Sequence, residues 1–159
     1  MKNKIIDQPR KMRKITLAII ILSFFAACKT PSGAVTKKSG AVSAYLLGDF
    51  TDDYNIRYTI NDTLWIQHPN IKYHIIQSNV SKQYLIARND TNNPSDAGLY
   101  TRIDYMEFQN MESYTWGFCL TVYNAKTEKD ALANGGADRQ NSKSGCGGFP
   151  FSRMKKELH

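Results

Sequence analysis

Apolar and polar residues that alternate with a period of two constrain the fold of this chain more than any other feature. Tyr54, Ile56, Tyr58 and Ile60 are each separated by one polar residue. Successive side chains of a β-strand point to opposite faces, so this pattern predicts a strand with one buried face. The segments that we predict as strands are 54–60, 64–66, 71–75, 84–88, 99–108 and 114–123.

These strands are short and are separated by turn-forming residues, which is typical of an all-β meander. The sequence therefore predicts a small antiparallel β-barrel or meander of about six to eight strands. One helix signal stands out: Thr127 and Asp130 form a capping pair ahead of Ala131, and glycines follow at 135 and 136. We expect one short helix near residues 127–134. In the polar tail that follows, we expect Phe149 and Phe151 to act as anchors.

The N-terminus has the layout of a secretory signal peptide. Basic residues end at Lys14, an apolar run of 11 residues covers 15–25, and two alanines precede Cys28. The apolar run is shorter than the roughly 20 residues that span a bilayer. The small residues before Cys28 resemble the lipobox of bacterial lipoproteins. The resemblance implies cleavage before Cys28 and acylation of Cys28, with palmitate as the typical chain. A short membrane helix with an incidental cysteine is the alternative, and translation from Met12 would leave the mature chain unchanged.

Lipidation would make the membrane a partner of this protein, because two or three acyl chains give stable membrane residence. Lys29 and Thr30 follow the cysteine, with no aspartate beside it. In lipoproteins of Gram-negative bacteria, an aspartate there implies retention in the inner membrane. The resemblance therefore implies the outer membrane, and it leaves open whether the domain faces the periplasm or the cell surface.

Three regions follow from these boundaries. Residues 1–27 are the predicted signal peptide, 28–43 a flexible tether, and 44–159 a single β domain. The tether is assigned because its small and polar residues cannot bury much surface.

The formal net charge of +7 overstates the basic character of the mature chain. Residues 1–27 hold six of the 21 Lys and Arg and one of the 14 acidic residues, so 15 basic and 13 acidic residues remain beyond them. This near balance lacks the basic stripe that tracks phosphates. Charge and predicted compartment together argue against nucleic-acid binding.

The three cysteines are informative in an exported protein. Lipidation of Cys28 would leave Cys119 and Cys146, whose pairing an oxidising compartment favours. The bond would close a loop of about 28 residues, worth about 3–4 kcal/mol in the chain-entropy model. Two separate buried thiols are the alternative. The expected core face of the last strand consists of Tyr114, Trp116, Phe118, Leu120 and Val122. Cys119 then points to the other side, so a bond from it would hold the tail against the outer face.

The residues form no catalytic signature, and no cofactor motif is present in the sequence. There is no Gly-x-Ser-x-Gly elbow, and Asp104 and Glu107 lie on opposite faces of one strand. His68 and His74, with an aspartate from 49–53, lack the defined ligands of a zinc site. The polar loop 89–98 lacks the calcium-binding pattern of an EF-hand.

Five residues are candidate ligand contacts. Arg102 and Asp104 share a strand face. If Ile103 and Tyr105 pack in the core, the charged pair is a surface ion pair of little energetic value. If the barrel encloses a lumen, Tyr100, Arg102 and Asp104 would line it. Tyr105 and Trp116 are the aromatics that we would first test for an apolar pocket.

Several longer segments resemble small lipoproteins of Gram-negative bacteria that have no assigned activity. They are the run from Gly48 to Tyr54, then YLIARND, YTRIDYMEF, YTWGFCLTVY and GCGGFPFSRM, so the similarity covers 48–155. The resemblance carries over no functional residue. The order of strands after Gly48-Asp49-Phe50 is also loosely similar to lipocalin-like barrels, in which a Gly-x-Trp signature stands at this point.

These observations favour a membrane-anchored, non-enzymatic binding module for a small ligand or an envelope component. A structural or interaction lipoprotein of an envelope complex is the alternative. A hydrolase, with carboxylates that meet from different strands, is the third hypothesis.

Overall fold

The computed structural model describes residues 40–133 and 135–158, all of which belong to one compact unit. Within these residues, no helix is both long and apolar enough to cross a membrane. The structure is a closed antiparallel barrel of eight strands with one short helix, which confirms the predicted fold class. The strands are β1 (Gly48–Asp52), β2 (Arg57–Ile60), β3 (Leu64–Gln67), β4 (Ile71–Asn79), β5 (Tyr84–Asn89), β6 (Tyr100–Glu107), β7 (Trp116–Ala125) and β8 (Ser152–Lys156).

Each strand pairs with the next, and β8 closes the barrel by pairing with both β7 and β1. The six predicted strands correspond to β2–β7. β1 and β8 were not predicted from the sequence, because each buries few apolar side chains: Phe50 in β1 and Met154 in β8. These two short polar strands form the seam of the barrel.

Aromatic rings fill the barrel interior. Trp116 packs edge-to-face on Phe50 and Trp65, with ring centroids 5.2 and 5.8 Å apart. Phe118 packs on Trp65 at 5.1 Å and on Tyr58 at 5.5 Å. Such pairs are worth about 0.5–1.5 kcal/mol beyond the area that they bury.

The segment before β1 closes one end of the barrel, which we call the closed end. Leu46, in a turn of 3-10 helix over Ala44–Leu46, is fully buried. Val42 is only 6% exposed and belongs to the same core, although the sequence placed it in the tether. The folded unit thus begins before Ala44. The predicted signal peptide and the tether up to residue 39 lie outside the described residues.

A second apolar layer lies outside the barrel, under α1 (Glu128–Ala133). The predicted cap is confirmed, since the Asp130 N–H donates to Thr127 Oγ1 at 3.2 Å. Tyr114 was predicted on the core face of β7 but stacks under Arg153. Val122 packs in this outer layer with Ile86 and Ala131, so its predicted place on the core face was also wrong. For Val122 the reason is a register shift between β6 and β7 around Arg102, which moves the Val122 side chain to the outer face of β7.

Candidate functional site

The end of the barrel opposite the closed end is open on one side, and we call it the open end. β8 pairs with β7 only from Trp116 to Phe118, whereas β7 continues to Ala125. The chain joins the sheet as β8 only at Ser152, so β8 does not extend along the second half of β7. A cavity of about 470 Å³ lies here, between the second half of β7, the β1–β2 turn and the tail. Its volume falls in the range of small-molecule sites.

The cavity has an apolar floor and an aromatic rim. Ile56, Phe118 and Leu120 form the floor. At the rim, Tyr54, Tyr123 and Phe149 are 66%, 54% and 72% exposed. The other described residues that line it are Asp52, Tyr58, Gln67, Cys119, Cys146, Pro150 and Ser152. Large exposed apolar groups gathered at one place mark binding surfaces.

Asp52 organises the β1–β2 side of the cavity. Its carboxylate is 2% exposed; Oδ1 accepts the N–H groups of Tyr54 and Ile56, both at 2.9 Å. Oδ2 accepts the Tyr58 hydroxyl at 2.9 Å. Burial, and then the negative charge of Asp52, raise the pKa of the Tyr58 hydroxyl, which therefore remains a donor. The carboxylate thus fixes the turn that carries Tyr54.

The predicted disulfide between Cys119 and Cys146 is present, with the two Cα atoms 5.6 Å apart. Both cysteines line the cavity and form a second wall of it. Cys119 packs with Phe151 on the outer face of the barrel, which confirms the predicted attachment of the tail. A smaller hollow of about 200 Å³ lies over the bond. Beyond it, two glycines with positive φ at 147 and 148 turn the chain, so that Phe149 reaches the rim.

The structure places Arg102 and Asp104 neither at the surface nor inside the barrel. Both lie on the outer face of β6, but they are buried, at 7% and 0% exposure. Arg102 Nε and Nη2 donate to the two Asp104 oxygens at 2.8 and 3.1 Å. The prediction of a surface ion pair was wrong, because the segment after α1 covers this face. The position of that segment over β6 was not predicted, because the segment is glycine-rich and has no regular pattern of apolar residues.

Arg139 completes this buried cluster. Its Nη2 donates to Asp104 Oδ1 at 2.8 Å and to the Gln83 carbonyl oxygen at 2.6 Å, and its Nε donates to the Tyr105 carbonyl oxygen at 2.9 Å. The Thr121 hydroxyl donates to Asp104 Oδ2. The cluster therefore clamps the segment after the helix onto the barrel, and we assign it a structural role.

The remaining predicted contacts also lie away from the cavity. Tyr105 and Trp116 are fully buried in the core, where the Tyr45 ring covers them with centroids 5.9 and 6.5 Å away. Tyr100 is half-buried and packs against the outer layer under α1. The two core aromatics therefore support the closed end, and the structure does not bring the five candidates together.

The histidines have separate partners. His74 Nε2 lies 2.7 Å from Asp90 Oδ2, and His68 Nε2 lies 2.9 Å from Thr59 Oγ1. Two N–H donors from Asn92 and the hydrogen bond from His74 lower the pKa of Asp90 to about 2. Among residues 40–133 and 135–158, no group of three or more His, Cys, Asp or Glu side chains is placed to hold a metal ion.

The residues that form the open end were not predicted as site residues from the sequence. Tyr54 was predicted on a buried strand face, but it lies in the turn between β1 and β2, where Asn55 has a φ of +63°, and its side chain is exposed. Phe149 was predicted to be an anchor, and only Phe151 fills that role. The flanking glycines and Pro150 were the available signal for a turn that exposes an aromatic ring.

Comparison with known proteins yields no relative. No family model matches the chain, and no curated protein and no solved structure matches it.

Proposed function

We propose that this chain is a non-enzymatic binding protein that takes a small, partly apolar ligand at the open end of its barrel. The observation that carries the proposal is the cavity of about 470 Å³, whose apolar floor is framed by three exposed aromatic rings. A pocket of this kind, with few polar groups among apolar ones, is the usual form of a small-molecule site.

We also propose that Cys28 carries a lipid and attaches the protein to the outer membrane, as in small lipoproteins of Gram-negative bacteria. The bond between Cys119 and Cys146 supports this, because it leaves Cys28 as the one remaining cysteine of the three in the sequence. The described chain begins at Gly40, whose neighbour Ala41 accepts a hydrogen bond from Ser78 at the closed end. A tether there leaves the open end free for ligand.

Native mass spectrometry of the full chain, extracted from its host membrane in a mild detergent, tests the binding function. We expect a small-molecule adduct on the wild type. Leu120→Trp, which fills the floor of the cavity, should lose the adduct. Val80→Trp, at an exposed position next to the closed end, should keep it. No adduct on the wild type, or an equal adduct on Leu120→Trp, contradicts the proposal.

The lipid anchor has a separate test. Labelled palmitate should enter the wild type and not Cys28→Ala, and that variant should leave the membrane fraction. Retention of Cys28→Ala in the membrane, or failure of the label to enter the wild type, contradicts lipidation.

A role as an interaction lipoprotein is the second candidate, and the exposure of Tyr54, Tyr123 and Phe149 favours it. A protein mass, rather than a small-molecule mass, in the same spectra would identify it. The hydrolase hypothesis gains no support, because Asp52 is the one carboxylate among the described residues that line the cavity, and glycoside hydrolysis uses two.

A further inference from the structure

The charge that lines the open-end cavity is of one sign, negative. Among the described residues that line it, Asp52 is the one charged side chain, and none is a lysine, arginine or histidine. The carboxylate is nine-tenths buried or more, so water screens it poorly. Burial raises the pKa of the Tyr58 hydroxyl, and the negative potential of Asp52 raises it further. An anionic ligand would meet this negative potential with no positively charged side chain among the described residues of the lining.

The aromatic rim is a second feature that favours a positively charged ligand. Tyr54, Tyr123 and Phe149 present three aromatic rings around the mouth, all more than half exposed. The face of an aromatic ring carries partial negative charge, and rings grouped around a site attract ammonium groups. The apolar floor of Ile56, Phe118 and Leu120 suits the carbon groups of such a ligand.

From this combination we infer that the open end binds a compact organic cation, an alkylated amine or quaternary ammonium group attached to an apolar or neutral body. The inference rests on the proposed function, since it names the ligand class of the same cavity. The aromatic rim contacts the cation, Asp52 supplies the opposing charge, and the floor holds the uncharged part. Neutral sugars, which also stack on aromatic rings, are the competing class.

A matched pair of probes separates charge from shape. Choline and 3,3-dimethylbutan-1-ol have nearly the same shape, and only choline is charged. The full chain, in a non-ionic maltoside detergent, is titrated with each probe while tyrosine ring resonances are followed by NMR. We expect choline to bind about tenfold more tightly than the alcohol. Methyl glucoside, titrated in the same way, should bind more weakly than choline.

Variants then locate the effect. Tyr123→Leu and Phe149→Leu keep apolar bulk and remove a ring, so each should weaken choline about three- to tenfold and change alcohol binding little. Tyr114→Leu, at a ring outside the cavity that stacks under Arg153, should change neither. Asp52→Asn should weaken choline selectively; if that variant fails to fold, the ring variants still decide.

Equal affinity for choline and the alcohol, or tighter binding of the glucoside, overturns the cation inference. If those ligands are nevertheless lost in Leu120→Trp, the proposed binding function stands. If neither choline nor the alcohol binds, the cation inference is also overturned. The proposed binding function is then tested only by the native mass spectra described above.

Discussion

The two ends of this barrel are built from similar residues and differ in how those residues are used. At the closed end, Tyr45 and Leu46 cap a core in which Trp116 and Tyr105 are fully buried. At the open end, aromatic rings stand in solvent around a cavity. Burial of aromatic surface stabilises the fold, whereas exposed aromatic surface does not. A bound ligand would cover the exposed rings, which is why such surface marks a binding site. We therefore expect substitutions at the closed end to change folding, and those at the open end to change binding.

Trp116→Ala should give the largest effect. It removes a fully buried ring that contacts Phe50 and Trp65, and such changes cost about 3–5 kcal/mol. Phe149→Ala is the control at the open end, where we expect a change within about 0.5 kcal/mol. Urea denaturation of both variants measures the difference. Similar losses for the two would remove the distinction between the ends.

The buried ion cluster beside the closed end comes next. Asp104→Ala leaves two arginines without their shared carboxylate and should cost about 3–5 kcal/mol of unfolding free energy. Asp53→Ala breaks the pair with the half-exposed Arg153 and should cost about 0–1 kcal/mol. Thermal denaturation compares them. An Asp104→Ala protein as stable as Asp53→Ala would show that the clamp contributes little.

Loss of the disulfide should affect both folding and binding. The double variant Cys119→Ser, Cys146→Ser should lose about 3 kcal/mol, because the bond closes a loop between residues 27 apart. It also frees the wall that carries Phe149, so the native adduct should weaken. If the adduct persists unchanged while stability falls, the disulfide wall is not part of the binding site.

Alkaline pH should weaken the closed end. Burial, followed by the neighbouring Tyr105, raises the pKa of the Tyr45 hydroxyl to about 12, compared with about 10 in the unfolded chain. The folded state therefore holds its proton more tightly, and this contribution is complete below pH 10 and declines up to about pH 12. Tyr45→Phe should show a smaller decline in stability over this range in denaturation series at stepped pH. An unchanged slope would contradict the assignment.

The strands with apolar alternation were predictable from local pattern. Six segments of the sequence became β2–β7, and the cap at Thr127 began the helix as expected. The pairing of Cys119 with Cys146 was predicted from the count of cysteines and the expected lipidation of Cys28, and strand parity predicted the face to which Cys119 points. The strands and the helix were predicted by short-range rules, and the disulfide by the number of cysteines in the chain.

The site depended on contacts between distant residues, which short-range rules do not contain. β1 and β8 are polar, and their positions are set by pairing across the seam. Tyr54, Tyr123 and Phe149 come from three distant segments. They line one cavity because β8 starts only at Ser152 and leaves the second half of β7 uncovered. The burial of Asp104 likewise depends on Arg139, 35 residues away.

Photo-crosslinking in the host tests the central difference between the ends most directly. Benzoylphenylalanine replaces Phe149 at the open end in one full-length protein and Val80, near the closed end, in another; both positions are exposed. After irradiation, mass spectrometry should find a small-molecule adduct on the protein labelled at 149 and none on the protein labelled at 80. Equal adducts at both positions, or none at 149, would contradict ligand binding at the open end.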